Sequence, residues 1–174
     1  MMKAAFNKKH TCFIGCLMTL IILIMSQDAI KAQVVGSTIQ KTNELKAVEE
    51  AIHNVFGWAV KKDFDLFFQT IADDSNFISV TPYKRVKFGI NDVKKDSAFW
   101  GSPHFKAIRH EVRDLKIQFS SSGDVAWFYC VVDDFNEWKG EPANWENVRW
   151  TGVLEKRKGK WRVVQQHFSF AKDN

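Results

Sequence analysis

Cysteine is scarce in this sequence, which has three in 174 residues. Cys12 and Cys16 lie near the N-terminus, so beyond residue 32 only Cys130 remains. A single thiol excludes an intramolecular disulfide and a cysteine-based metal site from that part of the chain. Cys130 stands among apolar residues in a strand-like stretch, which predicts a buried, unreactive thiol.

The sequence also lacks an apolar run long enough to span the hydrocarbon core of a membrane as a helix. The longest, residues 13–25, would extend roughly 20 Å as a helix, against a hydrocarbon core of about 30 Å. Lysines precede this run and small residues follow it up to Ala32, which is the pattern of a secretory signal peptide. We predict cleavage after Ala32 and a periplasmic or secreted product; a retained anchor is the alternative. Cys16 precedes most of the run, which disfavours lipid attachment.

Without that segment the sequence has only a small excess of positive charge. Removing residues 1–32, with four lysines and one aspartate, lowers the formal net charge from +5 to +2. The remaining basic clusters are short and typical of solvated turns and helix faces. We therefore expect no nucleic-acid partner, and no membrane partner after cleavage.

Hydrophobic residues make up 45% of the sequence and aromatic residues 14%, enough for one sizeable core. We predict a flexible leader at residues 33–43 and one domain at residues 44–174. An apolar stripe from Leu45 to Ala59 predicts a first helix, and Asp63 is a suitable N-cap for a second. Two short strands, a third helix capped by Asn91 with Val93, Phe99 and Trp100 buried, and four longer strands complete the order ααββαββββ.

The last two strands form a predicted hairpin around Lys158 and Gly159, because glycine reaches the positive φ that tight turns require. Strict alternation along the final strand separates two faces. One carries Trp161, Val163, Gln165, His167 and Ser169, and the other Arg162, Val164, Gln166, Phe168 and Phe170. Both faces bear apolar groups, which predicts that one lines a core or pocket and the other meets a further surface, such as another subunit.

This order resembles the SnoaL-like branch of the nuclear transport factor 2 superfamily. The matching segments include Gly123-Asp-Val-Ala-Trp127, Arg149 with Thr151, and Gly159-Lys-Trp-Arg-Val-Val followed by His167 and Ser169. The resemblance implies an α+β fold: a cone-shaped, curved, mostly antiparallel sheet wrapped around three N-terminal helices, with a pocket at its open end and homodimers formed through the outer face. It places His167 toward the pocket and assigns Val164, Phe168 and Phe170 to the dimer interface.

Ketosteroid isomerases share this fold, but their chemistry does not transfer. The resemblance puts their general base near Ser79, their oxyanion-hole tyrosine near Val55 and their protonated acid near Trp150 or Thr151. None of these positions carries the required group, and such an isomerase needs both a base and oxyanion donors. We therefore do not expect this activity.

His167 is the candidate catalytic residue, because its ordinary pKa near 6.5 suits acid–base work; a hydrogen-bonded histidine without a chemical role is the alternative. The candidate ligand-binding residues share its predicted face or flank it: Trp127, Tyr129, Arg149, Thr151, Gln165 and Ser169. Arg149 could instead pair with Asp133 or Glu155. The acids Asp133, Asp134, Glu137 and Glu141 are interpreted as a solvated loop, with the pocket rim as the alternative.

The histidine spacing forms no metal triad, so we expect no structural metal and no cofactor. The main functional expectation is an exported protein that binds a small, partly apolar ligand. The alternatives are a lyase or isomerase of the polyketide cyclase or dehydratase kind using His167, and a dimeric interaction module.

Overall fold

The computed structural model describes the backbone of residues 9–171 and the side chains of residue 31 and residues 33–171. The chain divides into two compact units, Met1–Glu44 and Leu45–Asn174. Helix α1 (Lys9–Gly57) contributes to both. Within it, residues 33–43, the predicted leader, are helical with exposed side chains. No helix among the described residues is both long and apolar enough to cross a membrane.

The predicted signal peptide falls largely outside this description: the backbone of residues 1–8 and the side chains of residues 1–30 are not part of it. The signal peptide and its cleavage therefore stay predictions.

In the second unit, α1 ends in a 3₁₀ turn, Trp58–Val60, and α2 (Phe64–Thr70) follows. Asp63 caps α2 as predicted, because its Oδ1 accepts a hydrogen bond from Leu66 N at 2.9 Å. Most of the α1 stripe is also confirmed, because Val48, Ile52 and Val55 are buried; Leu45 at its start is exposed.

The predicted third helix is two short helices, α3 (Gly89–Lys94) and α4 (Ser97–Gly101). Asn91 lies inside α3, so its assignment as N-cap was wrong. Gly89, at φ +71°, turns the chain directly from the preceding strand into the helix, a conformation that other residues rarely adopt. Phe99, predicted to be buried, is exposed.

Seven strands follow or separate these helices: β1 (Ile78–Val80), β2 (Val86–Phe88), β3 (Phe105–Phe119), β4 (Val125–Trp138), β5 (Glu141–Pro142), β6 (Trp145–Arg157) and β7 (Lys160–Phe170). They form one sheet in the order β2-β1-β7-β6-β4-β3, with β5 added to β4. Among these seven strands, only β1 and β7 pair in parallel. The predicted α+β class and curved, mostly antiparallel sheet are confirmed.

The core lies between the helices and the inner face of this sheet. Its fully buried side chains come from α1, from the segment after α2, and from the long strands: Val48, Ile52, Ile71, Phe77, Cys130, Val132, Val148, Trp150, Leu154 and Val163. Cys130 is buried as predicted, and burial raises the pKa of its thiol to about 12.

Candidate functional site

A cavity of about 400 Å³ opens within the second unit, between the helices and the inner face of the sheet. Its apolar wall is largely aromatic: Phe56, Trp58, Phe67, Tyr83, Phe99, Trp100, Phe105, Trp145 and Phe168. Its polar lining comes mainly from the strands: Ser79, Thr81, Lys87, Asp134, Asn136, Asn144 and Gln166. A few polar groups on an aromatic wall are typical of a small-molecule site.

The carboxylate of this cavity belongs to Asp134 on β4. Asn136, two residues further and therefore on the same face, donates from Nδ2 to Asp134 Oδ2 at 2.8 Å. Burial raises the pKa of Asp134 to about 6, and the hydrogen bond from Asn136 opposes this shift only in part.

The neighbouring acid, Asp133, lies in a different environment from Asp134. Burial alone would raise its pKa, but hydrogen bonds from Asn147 N at 2.6 Å and from Arg113 outweigh that effect and lower it. Asp133 therefore has a structural role, joining β4 to β3 and β6, whereas Asp134 faces the cavity.

Two amide side chains bring buried, unpartnered oxygens to the cavity wall. Asn136 is 6% exposed and Gln166 7% exposed. Gln166 donates from Nε2 to Ser79 Oγ at 3.1 Å. Among the described residues, neither Asn136 Oδ1 nor Gln166 Oε1 has a hydrogen-bond partner. Buried acceptors of this kind normally find a partner, so a bound molecule with donor groups would satisfy them.

Lys87 is the cation of the cavity lining, and its charge is balanced locally. Its amino group forms an ion pair with Asp96 and lies 5.1 Å from the centre of the Trp100 ring. Asp96 also pairs with Arg85 at 3.0 Å. Lys87 thus belongs to a small ionic network beside the aromatic wall.

His167 does not face this cavity, so the placement predicted for it was wrong. Trp161 and Val163 point inward, but the pairing with β6 shifts between Leu154–Val163 and Val153–Gln165, leaving Val164 as an extra residue. Such a β-bulge reverses the alternation. Beyond it Gln166 and Phe168 point inward and His167 is exposed.

The other predicted ligand-binding residues also lie outside the cavity, because on β4 and β6 the inward positions belong to their neighbours, such as Phe128, Cys130 and Trp150. Trp127 is 44% and Tyr129 40% exposed on the outer face. Tyr129, Thr151 and His167 are cross-strand neighbours there. None of the predicted set lines the cavity: Trp127, Tyr129, Arg149, Thr151, Gln165, His167 and Ser169. Sequence reasoning grouped these residues correctly but assigned them to the wrong face.

Because of the bulge, the predicted interface residues do not all lie on the outer face. Phe168 is 5% exposed, stacks on Trp150 and lines the cavity, so it cannot contact another subunit. Val164 is half-buried against the core, and Phe170 remains exposed. Arg149 pairs with neither Asp133 nor Glu155; its Nη2 donates to Phe170 O at 3.0 Å.

The interpretation of Asp134 as part of a solvated loop was also wrong. A signal for its position exists in the sequence, because every second residue of β4 from Ala126 to Val132 is apolar and buried. Extending that alternation places Asp134 and Asn136 on the inner face. The polarity of the segment obscured this pattern.

Two histidines outside the cavity lining contact each other: His53 Nδ1 lies 3.3 Å from His110 Nε2. Burial, and then the proximity of His53, lower the pKa of His110. Within the described part of the chain, no group of three or more His, Cys, Asp or Glu side chains is placed to hold a metal ion.

Comparison with known proteins adds a family to this geometry. The model of the SnoaL-like domain matches residues 48–173. No curated protein matches the chain. Similar solved structures include an NTF2-like protein of unknown function from Prochlorococcus (17% identity, TM-score 0.58, covering 74% of this chain and 94% of that one).

Two further solved structures match with a TM-score of 0.62. One is an NTF2-like protein with a cystatin-like fold from Novosphingobium aromaticivorans, at 11% identity, covering 80% of this chain and 90% of that one. The other is a putative dehydratase of the NTF2-like family from Streptomyces avermitilis, at 16% identity, covering 76% and 99%. At these identities the likeness establishes the fold alone.

Proposed function

The chain belongs to the SnoaL-like domain family of the NTF2-like superfamily, and we propose that it binds a small, partly apolar molecule in its cavity. The observation that carries this proposal is the pair of buried acceptors, Asn136 Oδ1 and Gln166 Oε1, at an aromatic wall. Leaving a buried acceptor unpaired costs about 1–3 kcal/mol. A ligand that donates to these oxygens and covers the aromatic rings recovers that free energy.

Native mass spectrometry of the protein purified from its own source tests this proposal. We expect one small molecule per chain, released on denaturation. We also propose that the protein is exported, and the mass of the polypeptide tests this: a chain that begins at Gln33 supports cleavage after Ala32, and an intact N-terminus contradicts it.

A pair of variants ties the bound molecule to the cavity. Ala59 lines the cavity, whereas its exposed neighbour Val60 does not. Ala59→Phe should fill part of the space and lower the ligand affinity about tenfold or more, equivalent to roughly 1.4 kcal/mol, so that less ligand stays bound. Val60→Phe should retain full occupancy. Equal occupancy in both variants would place the molecule elsewhere.

Acid–base catalysis of the lyase or isomerase kind is a second candidate, with Asp134 replacing His167 as the acting group. The favouring observation is that the pKa of Asp134 is about 6 in an aromatic cavity, where a carboxyl can exchange protons near neutral pH. The structural neighbour described as a putative dehydratase is compatible with this reading. Turnover of the released ligand should then disappear in Asp134→Asn and persist in His167→Ala; the reverse result would restore His167.

We further propose a homodimer formed through the outer sheet face. Trp127, Tyr129, Thr151 and His167 form a continuous exposed patch that no described residue covers. Tyr129→Glu should produce monomers in size-exclusion chromatography with light scattering, because a charge would be buried at the contact. Val60→Glu, an exposed control in the 3₁₀ turn, should leave the dimer intact. A dimer that survives Tyr129→Glu would contradict this interface.

A further inference from the structure

We infer that the cavity selects an organic cation: a small aryl or alkyl molecule whose ammonium group donates hydrogen bonds to the Asp134 carboxylate and to Asn136 Oδ1. This inference rests on the proposed ligand-binding function and specifies the class of ligand. Its geometric basis is the Asp134 carboxylate, the unpartnered oxygen of Asn136 and an aromatic wall in one cavity.

The orientation of the Asn136 amide is decided by its partner. An ionised carboxylate only accepts hydrogen bonds, so the nitrogen of Asn136 must face Asp134 and its oxygen must point away. That oxygen is buried and has no partner among the described residues. Asp134 and Asn136 together therefore present acceptors, and a ligand must supply donors.

Gln166 does not restrict the ligand in the same way. Its partner, the Ser79 hydroxyl, can accept or donate, so the Gln166 amide can offer either its oxygen or its nitrogen to the cavity. Gln166 thus tolerates a donor or an acceptor on the body of the ligand, while selection for charge lies at Asp134.

Within the described part of the chain, Asp134 lacks the ion-pair partner that several other acids of this unit have. Asp74 pairs with Arg157, Asp92 with Lys95, and Asp133 with Arg113. Among the residues whose side chains are described, no Lys, Arg or His forms an ion pair with Asp134, and Lys87 is matched by Asp96. A ligand cation would provide the missing partner, and the faces of the surrounding aromatic rings attract cations.

The groups that face Asp134 determine how binding depends on pH. His110 on β3 is its cross-strand partner, with His53 of α1 behind it. Lys87 and Tyr83 approach from the β1–β2 side of the cavity, and the β6 partner, Trp145, does not titrate. As pH falls, Asp134 becomes neutral and His110 becomes positive, and both changes weaken binding of a cation.

Isothermal titration calorimetry with three matched probes tests the inference: 2-phenylethylamine, 2-phenylethanol and 3-phenylpropionate. Near pH 7.5 the amine should bind about tenfold more tightly than the alcohol, and the carboxylate most weakly. Near pH 5 the affinity for the amine should fall about tenfold, because a carboxyl with a pKa of about 6 is then mostly protonated. The affinity for the alcohol should change little.

Asp134→Asn should remove the preference for the amine, while Asp133→Asn, which alters the adjacent acid outside the cavity, should retain it. If the alcohol or the carboxylate binds as tightly as the amine, the inference is overturned and ligand binding itself still stands. Failure of all three probes at millimolar concentration also overturns it, and native mass spectrometry then decides the proposed function independently.

Discussion

Asp134→Asn is expected to raise the free energy of unfolding at pH 7 by about 2–3 kcal/mol. The pKa of this carboxyl is about 6 in the folded chain, against an ordinary value of 3.8, because burial disfavours its charge. At neutral pH the folded protein therefore carries a poorly solvated anion that the unfolded chain exposes to water. Asparagine has the same shape and no charge, and its oxygen can still accept from Asn136.

The sign of the pH dependence follows from the same values. Between about pH 4 and pH 6 the folded state holds a proton at Asp134 that the unfolded state has released, so this residue lowers stability as pH rises through that window. Above it the destabilisation is constant. Urea denaturation at several pH values should show the stability gain of Asp134→Asn growing from pH 4 to 6 and then levelling off.

Asp133→Asn provides the matched control, one residue away and with the opposite sign. The pKa of Asp133 is lowered in the folded state by its contacts with Asn147 N and Arg113. Its ionised form therefore stabilises the fold at neutral pH, and the substitution should cost about 1–2 kcal/mol. This contribution disappears as pH falls through the lowered pKa. Equal effects of the two substitutions would contradict the opposite environments assigned to these acids.

Gly152→Ala is expected to destabilise the protein by about 2–3 kcal/mol, as overpacking of a dense core does. Gly152 lies on β6 between Phe128 and Gln166, its partners on the two adjacent strands. A methyl group added there would stand 2.5 Å from Phe128 Cε1 and 2.9 Å from Gln165 O. The Phe128 ring packs edge-on against Trp150 and cannot move without disturbing the core.

Chemical denaturation of the single and double variants measures this effect. Adding Phe128→Leu to Gly152→Ala should recover part of the loss, because the smaller side chain removes the closest contact. Phe128→Leu alone serves as the reference for the double-mutant cycle. Unchanged stability of Gly152→Ala would mean that the sheet adapts at this point, contrary to the close packing seen here.

Much of the local structure could be predicted from the sequence. The apolar stripe of α1, the Asp63 cap and the burial of Cys130 each depend on side chains a few residues apart, so periodicity and capping chemistry decide them. The long strands and the final hairpin follow from β-branched and aromatic residues punctuated by turns. The third helix was less predictable, because Gly89 and not Asn91 begins it.

The candidate site depended on information beyond local pattern. His167, Tyr129 and Thr151 are neighbours as expected, but the face that His167 occupies is decided by one extra residue in β7. Val163, Val164, Gln165 and Gln166 suit a strand with or without a bulge, so local propensity does not distinguish the two registers. Local properties also misled the prediction for Asp134: its polarity suggests a loop, although its position in β4 directs it inward.

The sequence by itself determined the α+β class, the order of the main elements and the family, because these are encoded in short-range patterns along the whole chain. Only the tertiary structure decided which side chains enclose the cavity. The bulge at Val164 lies in the pairing of β7 with β6, and beyond it the two faces of β7 are exchanged. Because alternate residues of a strand point in opposite directions, this one-residue shift replaced His167 with Gln166 and Phe168 at the cavity wall.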